Sequence, residues 1–406
     1  MDQVLKKVLG RIKPTSEEEL FVKRISDEVM KKIKVRDAKV ILGGSGAKGT
    51  WMKGTHDVDI YVKFDLKRCR DKDISKVLAK ELKKKFSKVL VLHGSRDYFR
   101  INKDKFTFEI VPILDIKKAS EAVNITDISP LHTVWVRKHA KLADDIRLAK
   151  AFCRAQSCYG AESYIRGFSG YVLEILVIYY GSFKNFVKAV ANWKQKEHID
   201  VMKHGVELNR AKTQSPLILI DPVQADRNAA AALGREQYDK LIAAAKKFLS
   251  SPSEDFFVRK EFSLDDLKKK AKGKSLVVFE AVPLKGKEDV VGAKLLKAFN
   301  YIRNLFLREG FTVYDSSWYW DGNAFFYLIV NPGLLPEFKI HVGPKASQQR
   351  HSSRFREKNR KYAVYEDRGR LCAKIPRRFR DASSFSKNLI KDENLKLWVK
   401  SVRILV

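Results

Sequence analysis

Apolar residues along the chain recur with two different periods. Phe21, Ile25, Val29 and Ile33 stand four apart, which predicts a helix over 15–34 with one apolar face. Ser16 with Glu19, just after Pro14, reads as its capping box. The period then shortens to two. Residues 38–42 predict a short strand, 43–50 a Gly-rich loop, and 57–64 a strand in which Val58, Ile60 and Val62 share a face. A Lys-rich helix over 74–86 leads to strands near 89–92, 98–101 and 106–114. Strands with helices between them predict an α/β domain over 1–140.

From residue 144 to about 249 the pattern is mostly helical, with helices over 146–156, 170–180, 183–193 and 235–249. An apolar strand and turn at 217–222 interrupts them, and 250–253 with Pro252 reads as a linker. The second domain is therefore drawn at 141–255 and a third at 256–406. In the third, a strand at 276–282 and a helix at 290–308 precede a hairpin, 311–320 and 323–330, over Asp321-Gly322. A basic helical stretch and strands at 362–365 and 370–375 then complete a βαββα-like order, as in many small RNA-binding modules. The architecture expected is α+β and multidomain.

Charge changes the picture most. The 406 residues carry 81 Lys plus Arg against 48 Asp plus Glu, a formal net charge of +33. Such a field attracts polyanions and releases counterions from a phosphate backbone; a proteome basic throughout is the alternative source. With 45% hydrophobic residues the chain has ample material for cores, which excludes wholesale disorder. The most apolar stretch, 170–181, is too short to span a membrane and holds Glu174, so it reads as a buried helix. Residues 1–20 lack the apolar segment of a signal peptide. The four cysteines, Cys69, Cys153, Cys158 and Cys372, form no CxxC pair and read as reduced thiols. The location expected is cytoplasmic.

The chemistry concentrates in GGSGAKGTWMKGTHDVDIYVKF, residues 43–64. Asp57 and Asp59 leave the same face of their strand, where two like charges repel unless a cation lies between them. Oxygen ligands at this spacing suit Mg²⁺; a solvated strand face is the alternative. The glycines before them can turn N–H groups inward around phosphate oxygens, with Ser45 and Lys48 adding donors. Two-metal phosphoryl transfer needs a third carboxylate, and Glu109, centred in the apolar run FTFEIVP, is the candidate. The segment 345–380 holds thirteen Lys or Arg against three acids, including Arg350, Arg354, Arg356, Arg360, Arg377 and Arg378. Phe355, Tyr362, Tyr365 and Phe379 are interleaved with them. Basic side chains track phosphates and aromatics stack on bases or sugars, which makes this a candidate RNA-binding surface.

These residues resemble the archaeal (class I) CCA-adding enzymes, tRNA nucleotidyltransferases of the DNA polymerase β-like superfamily. The likeness runs from GGSGAKGTWMKGTHDVDIYV through FEIVPI, residues 150–183 with RGFSGY, and IDPVQADRNAAAAL at 220–233. It implies a polymerase β-like mixed-sheet palm, a helical central domain and a C-terminal α/β RNA-binding module. It also implies template-independent addition of CCA to tRNA from CTP and ATP, with two Mg²⁺ on Asp57, Asp59 and Glu109 and release of pyrophosphate. By position, Ser45 and Lys48 fall where the family contacts the triphosphate, and His132 matches a nucleotide-contacting histidine. Lys150 and Tyr159 match residues on triphosphate and sugar, and Arg227 an arginine that helps read the base edge. The partners implied are tRNA, gripped at its 3′ end and elbow, and no membrane, with a homodimer left open. Lys48 and Glu109 stand where the family usually has Arg and Asp. A poly(A) or oligoadenylate polymerase, or a non-catalytic RNA-binding relative, remains the competing reading.

Overall fold

The computed structural model describes residues 1–259 and 261–406. They form two compact units, Met1–Lys260 and Glu261–Val406, and the division expected near residue 140 falls inside the first.

The first unit opens with helices α1 (Asp2–Ile12) and α2 (Ser16–Lys32). The sequence reading passed over α1, whose buried side chains are only Leu5 and Val8. It also placed the capping box one residue late. Thr15, not Ser16, accepts the Glu18 N–H, and Glu18 answers on the Thr15 N–H. There follow β1 (Ala38–Leu42), α3 (Gly44–Lys48), β2 (Asp57–Asp65), α4 (Leu66–Cys69) and α5 (Ile74–Lys85). Three strands, β3 (Leu90–Leu92), β4 (Tyr98–Lys103) and β5 (Phe106–Asp115), complete a five-stranded sheet ordered β1-β2-β5-β4-β3. Only the β2–β5 pair in it is parallel. Val58, Ile60, Val62 and Phe64 of β2, with Phe106, Phe108 and Ile110 of β5, pack in one cluster with Ile25 and Val29 of α2 and Leu78 and Leu82 of α5. The alternate residues, the acids among them, take the opposite face.

Helices α6 (Ser129–Arg137), α7 (Ala143–Ala155), α8 (Gly170–Tyr180), α9 (Phe183–Ala191) and α10 (Arg235–Ser250) form the second layer of this unit. A small sheet, β6 (Glu197–Asp200), β7 (Leu217–Asp221) and β8 (Gln224–Asn228), lies among them. Their shared core holds α8 buried on every side from Val172 to Ile178. Residues 250–253, read as a linker, are followed by Phe256 and Phe257, which pack into this core. The Phe257 ring lies 5.6 Å from Phe152, 5.7 Å from Phe183 and 5.5 Å from Phe248. All four cysteines are free and buried.

The second unit begins with α11 (Leu264–Lys270), β9 (Ser275–Pro283), α12 (Glu288–Glu309), β10 (Val313–Asp321) and β11 (Asn323–Val330). It continues with β12 (Phe338–Lys345), α13 (Gln349–Lys358), β13 (Ala363–Asp367), β14 (Arg370–Pro376), α14 (Ala382–Leu389) and β15 (Val399–Ile404). One sheet runs β10-β11-β9-β15. Phe279 and Phe326 face α12 and α14, while Val278 and Tyr327 face α11, as a period of two requires. The other sheet, β12-β14-β13, is covered by α13 through Phe355, which packs on Leu371 and Ala373. β12 escaped the sequence reading, since Ile340, His341 and Val342 are exposed and no buried face repeats along it. No described helix in either unit is long and apolar enough to cross a membrane.

One buried acid fixes the route from the sheet to α6. Asp127 is fully buried and accepts the N–H groups of Leu114 (2.9 Å), Val123 (3.1 Å) and Asn124 (2.9 Å). The Arg96 guanidinium grips both of its oxygens. An amide at this position accepts through one atom only and leaves Arg96 without its partner charge. Asp127→Asn is expected to lose on the order of 3 kcal/mol in urea unfolding with a native far-UV spectrum; parent-like stability would show the clamp to be dispensable.

Candidate active site

The parallel register sets Asp59 directly beside Glu109, with Asp57 beside Thr107 at the start of β2. Burial pushes the Asp59 carboxyl up, Glu109 and Asp57 add to this and Lys48 opposes it, leaving it at about 6. Among the described residues neither Asp57 nor Asp59 accepts a hydrogen bond at its carboxylate, so their oxygens remain available. Glu109 is half-committed: Arg100, its register partner on β4, donates Nη2 to Oε1 at 2.6 Å. No three His, Cys, Asp or Glu side chains among the described residues are drawn together around one point. The donor set is nevertheless all carboxylate oxygen, and its mutual repulsion is what a hard divalent cation relieves. The three acids fit such an ion on condition that Glu109 exchanges Arg100 for it.

The Gly-rich loop coils into the short helix α3 itself. Gly44 has φ +52°, and a Cβ there would stand 1.7 Å from Asp59 Oδ2. At Gly43 a Cβ would meet the Tyr61 ring at 2.7 Å. The glycine pair thus permits close passage over the acids. Ser45 is partly exposed on α3, and its carbonyl accepts the Thr50 N–H at 3.0 Å. Lys48 ends the helix, and Gly49 closes it with φ +70°.

Behind α3 lies a buried ionic cluster that sequence reasoning did not assign. Glu174 of α8 is 1% exposed. Its Oε2 accepts Lys48 Nζ at 2.7 Å, and its Oε1 accepts Lys150 Nζ and Thr50 Oγ1, each at 2.8 Å. Burial pushes the Glu174 carboxyl up, but Lys150 and Lys48 outweigh it and hold it at about 2. Arg147, one turn before Lys150, donates to the carbonyls of Gly49 (2.7 Å) and Trp51 (2.8 Å). The α7 face thus grips the residues that follow α3. Tyr159 lies under the Arg154 guanidinium at 4.7 Å. Gly170 leaves room for it, since a Cβ there would stand 3.0 Å from the Tyr159 oxygen and 3.5 Å from Lys150 Cε.

A second cluster centres on Asp221. Tyr171 donates its hydroxyl to Oδ1 at 3.1 Å, Val223 its N–H to Oδ1 at 3.0 Å, and Arg227 Nη1 to Oδ2 at 2.5 Å. His132 Nε2 stands 3.2 Å from Oδ2, within ion-pair range but outside hydrogen-bond geometry. Its ring stacks on Tyr171 with centroids 3.9 Å apart. Burial pushes His132 down and Asp221 pulls it back, with Arg227 and Lys48 adding to the downward push. Burial raises Asp221, yet His132, the Val223 N–H and Arg227 together bring it to about 2. Lys48 Nζ lies 5.0 Å over the Tyr171 ring, so Tyr171 touches both clusters.

The first unit therefore brings Ser45, Lys48, Asp57, Asp59 and Glu109 to one edge of the sheet and sets His132, Lys150, Tyr159 and Arg227 on the helical layer. The signal for Glu174 was present, a carboxylate alone in an apolar helix; Thr50, Tyr171 and Asp221 stand inside the motifs that carry the resemblance, but nothing in the sequence singles them out within those motifs. In the second unit Arg350, Arg354, Arg356 and Arg360, on and just after α13, are exposed, and Arg378 stacks on Phe379 at 5.1 Å. Arg377 is engaged on the Glu309 carbonyl at the end of α12. Of the interleaved aromatics Tyr362 and Tyr365 are exposed, whereas Phe355 is core of the smaller sheet and Phe379 packs against the larger sheet's cluster.

The depressed Asp221 group yields a pH prediction. Its folded value near 2 lies below the ordinary 3.8, so its contribution is complete above that value and is lost as pH falls toward 2. Asp221→Asn is expected to cost about 2 kcal/mol at pH 7, and the gap to the parent protein should narrow in denaturation curves taken from pH 4 downward.

Three consecutive segments match known families. Residues 22–96 match the nucleotidyltransferase domain, 144–258 the tRNA nucleotidyltransferase second domain, and 273–399 the CCA-adding enzyme C-terminal domain. The CCA-adding enzyme of Methanosarcina barkeri (strain Fusaro / DSM 804) is 31% identical over 396 residues, covering 92% of this chain and 86% of the relative. That of Nanoarchaeum equitans (strain Kin4-M) is 35% identical over 348 residues, 84% of each chain. Among solved structures, a cytoplasmic RNA terminal U-transferase shares the fold at TM-score 0.51 and 14% identity, covering 64% of this chain and 100% of that one. With its catalytic sheet, helical layer and C-terminal unit each accounted for, the chain belongs to the family of CCA-adding enzymes.

Proposed function

We propose that the chain adds C, C and A stepwise to the 3′ end of tRNA from CTP and ATP, without a nucleic acid template. The observation that carries the reading is the register of Asp59 against Glu109, beside a glycine-lined helix that ends in Lys48. Asp57, Asp59 and Glu109 are the residues that would hold two Mg²⁺. Such ions lower the pKa of the terminal hydroxyl and neutralise the α-phosphate and the leaving pyrophosphate.

The remaining residues bind and orient. Ser45 and Lys48 take the triphosphate, with Lys150 adding its positive charge from behind them, Tyr159 the sugar, and His132 stacks at the nucleotide. Arg227, its guanidinium held by Asp221, presents its remaining donors to the base edge. The tRNA 3′ oxygen attacks the α-phosphorus, the bond to the bridging oxygen breaks, and pyrophosphate departs while the hydroxyl proton passes to solvent. The basic residues Arg350, Arg354, Arg356, Arg360, Arg377 and Arg378 contact the tRNA backbone toward its elbow, with Arg377 sharing its charge between RNA and the α12 terminus. The work divides into a catalytic head (1–140), a helical nucleotide-binding neck (141–255) and a tRNA-gripping body and tail (256–406), and belongs in the cytoplasm.

The test is incubation with tRNA lacking its CCA end, Mg²⁺ and labelled CTP or ATP, read on a sequencing gel. The parent protein should extend by C, C and A and stop. Asp59→Ala should cut incorporation on the order of ten-thousandfold while tRNA binding is retained. Undiminished incorporation by that variant would refute the assignment, and tailing with ATP alone would favour a polymerase of A-tracts.

A further inference from the structure

Lysine binds phosphate as a point charge on a flexible four-carbon stem, so holding it in place costs rotamer entropy. At Lys48 that stem is held. Its ammonium is bonded at 2.7 Å to a carboxylate that is itself immobile inside α8, and its side chain is 11% exposed. The same carboxylate carries Lys150 on its other oxygen, and Thr50 Oγ1 closes the group by accepting from Lys150 at 2.9 Å. One carboxylate faces two ammonium groups, so the cluster keeps one positive charge in excess. The two lysines are unequally spent. Lys150 directs its donors at Glu174, the Thr50 hydroxyl and, more distantly at 3.4 Å, the Thr50 carbonyl. Lys48, among the described residues, makes one hydrogen bond, leaving two of its three N–H donors for an anion.

We infer that Glu174 is a positioning residue of the nucleotide site: it is the common counter-ion that brings Lys48 of the catalytic sheet and Lys150 of the helical layer to one point, presenting Lys48 preorganised to the β- and γ-phosphates of the incoming NTP. The inference rests on the triphosphate reading of those two lysines given above. Glu174 itself touches no phosphate. It acts by removing the repulsion between two ammonium groups held close together and the freedom of the Lys48 side chain. A purely structural salt bridge would affect all ligands of the unit alike. A device for the triphosphate affects those with β- and γ-phosphates and is indifferent to the base.

The experiment compares equilibrium binding of CTP, ATP and CMP by the full chain, with kcat and KM measured alongside. Glu174→Gln keeps the shape and removes the charge. It should weaken CTP and ATP by a common factor of roughly ten, seen in KM more than in kcat, and leave CMP unchanged. Because that change leaves two lysines facing each other without a counter-ion, Thr50→Val serves as the milder variant. It keeps every charge, and should shift CTP and ATP two- to fivefold in the same direction, again without effect on CMP. Equal losses for CTP and CMP, or none for either, in these variants would overturn the inference; if Glu174→Gln does not fold, Thr50→Val decides. Lys48→Met separates this from the underlying reading. Loss of CTP binding confined to Lys48→Met would refute the role of Glu174 alone, whereas equal loss of CTP and CMP in Lys48→Met would refute the triphosphate site itself.

Discussion

Strands β2 and β5 run side by side in parallel with Asp59 against Glu109. Neighbouring strands lie roughly 4.8 Å apart, so two carboxylates on the same face cannot avoid each other. Most of what surrounds the pair answers to that constraint. Arg100 leans from the next strand onto Glu109, and Lys48 lowers the raised Asp59 group. Gly44 passes overhead where no side chain could stand. Threonine or valine here would avoid that repulsion; the acids are tolerated because Arg100 and Lys48 offset it.

The helical layer meets this edge through two buried carboxylates with different partners. Glu174 takes two flexible cations and one hydroxyl, an arrangement suited to diffuse negative charge. Asp221 takes a planar guanidinium, a phenol and an imidazole, groups with directional donors and flat faces suited to a base. Tyr171 and Glu174 are three apart on α8 and so lie on one face of that helix. Tyr171 stacks on His132, bonds Asp221 and lies beneath Lys48, which makes it the physical connection between the Asp221 and Glu174 clusters. A change at the Asp221 cluster would therefore be felt at the Glu174 cluster through one aromatic ring.

What the sequence disclosed follows from the range of the signal. Period-two alternation put Asp57 and Asp59 on one face before any coordinates, because that depends only on neighbours along a strand; Glu109 stands on another strand, and only the β2–β5 pairing brings it beside them. The α8 stretch was recognised as buried for a similar reason. The partners of Glu174 were out of reach, since Lys48 lies 126 residues away and Thr50 lies 124 away. Local competition explains the smaller misses: Thr15 and Ser16 both precede a glutamate three residues on, and only backbone geometry chooses between them. Glycine disfavours helix, so 43–50 reads as loop from sequence, whereas the structure coils Gly44–Lys48 into α3. Phe355 was read with the RNA-facing aromatics because it sits in a basic run, whereas Gly343 leaves the space into which its ring packs.

The two departures from the family pattern now have local physical contexts. A glutamate at 109 reaches one methylene farther than an aspartate, and Arg100 stands in register to catch it at 2.6 Å. The longer side chain is therefore oriented by Arg100, and a cation taking Glu109 would have to compete with that guanidinium. A lysine at 48 lacks the fork of an arginine, and Glu174 supplies the rigidity that the fork would otherwise bring. In both cases the less specific or longer group is tied by a charge from a neighbouring element. An arginine at 48 would present five donors to the same buried carboxylate and would crowd Thr50 and Lys150, which already share Oε1. The lysine and its surrounding cluster are consistent as a set, and changing one member alone would leave either a charge or a donor without its partner.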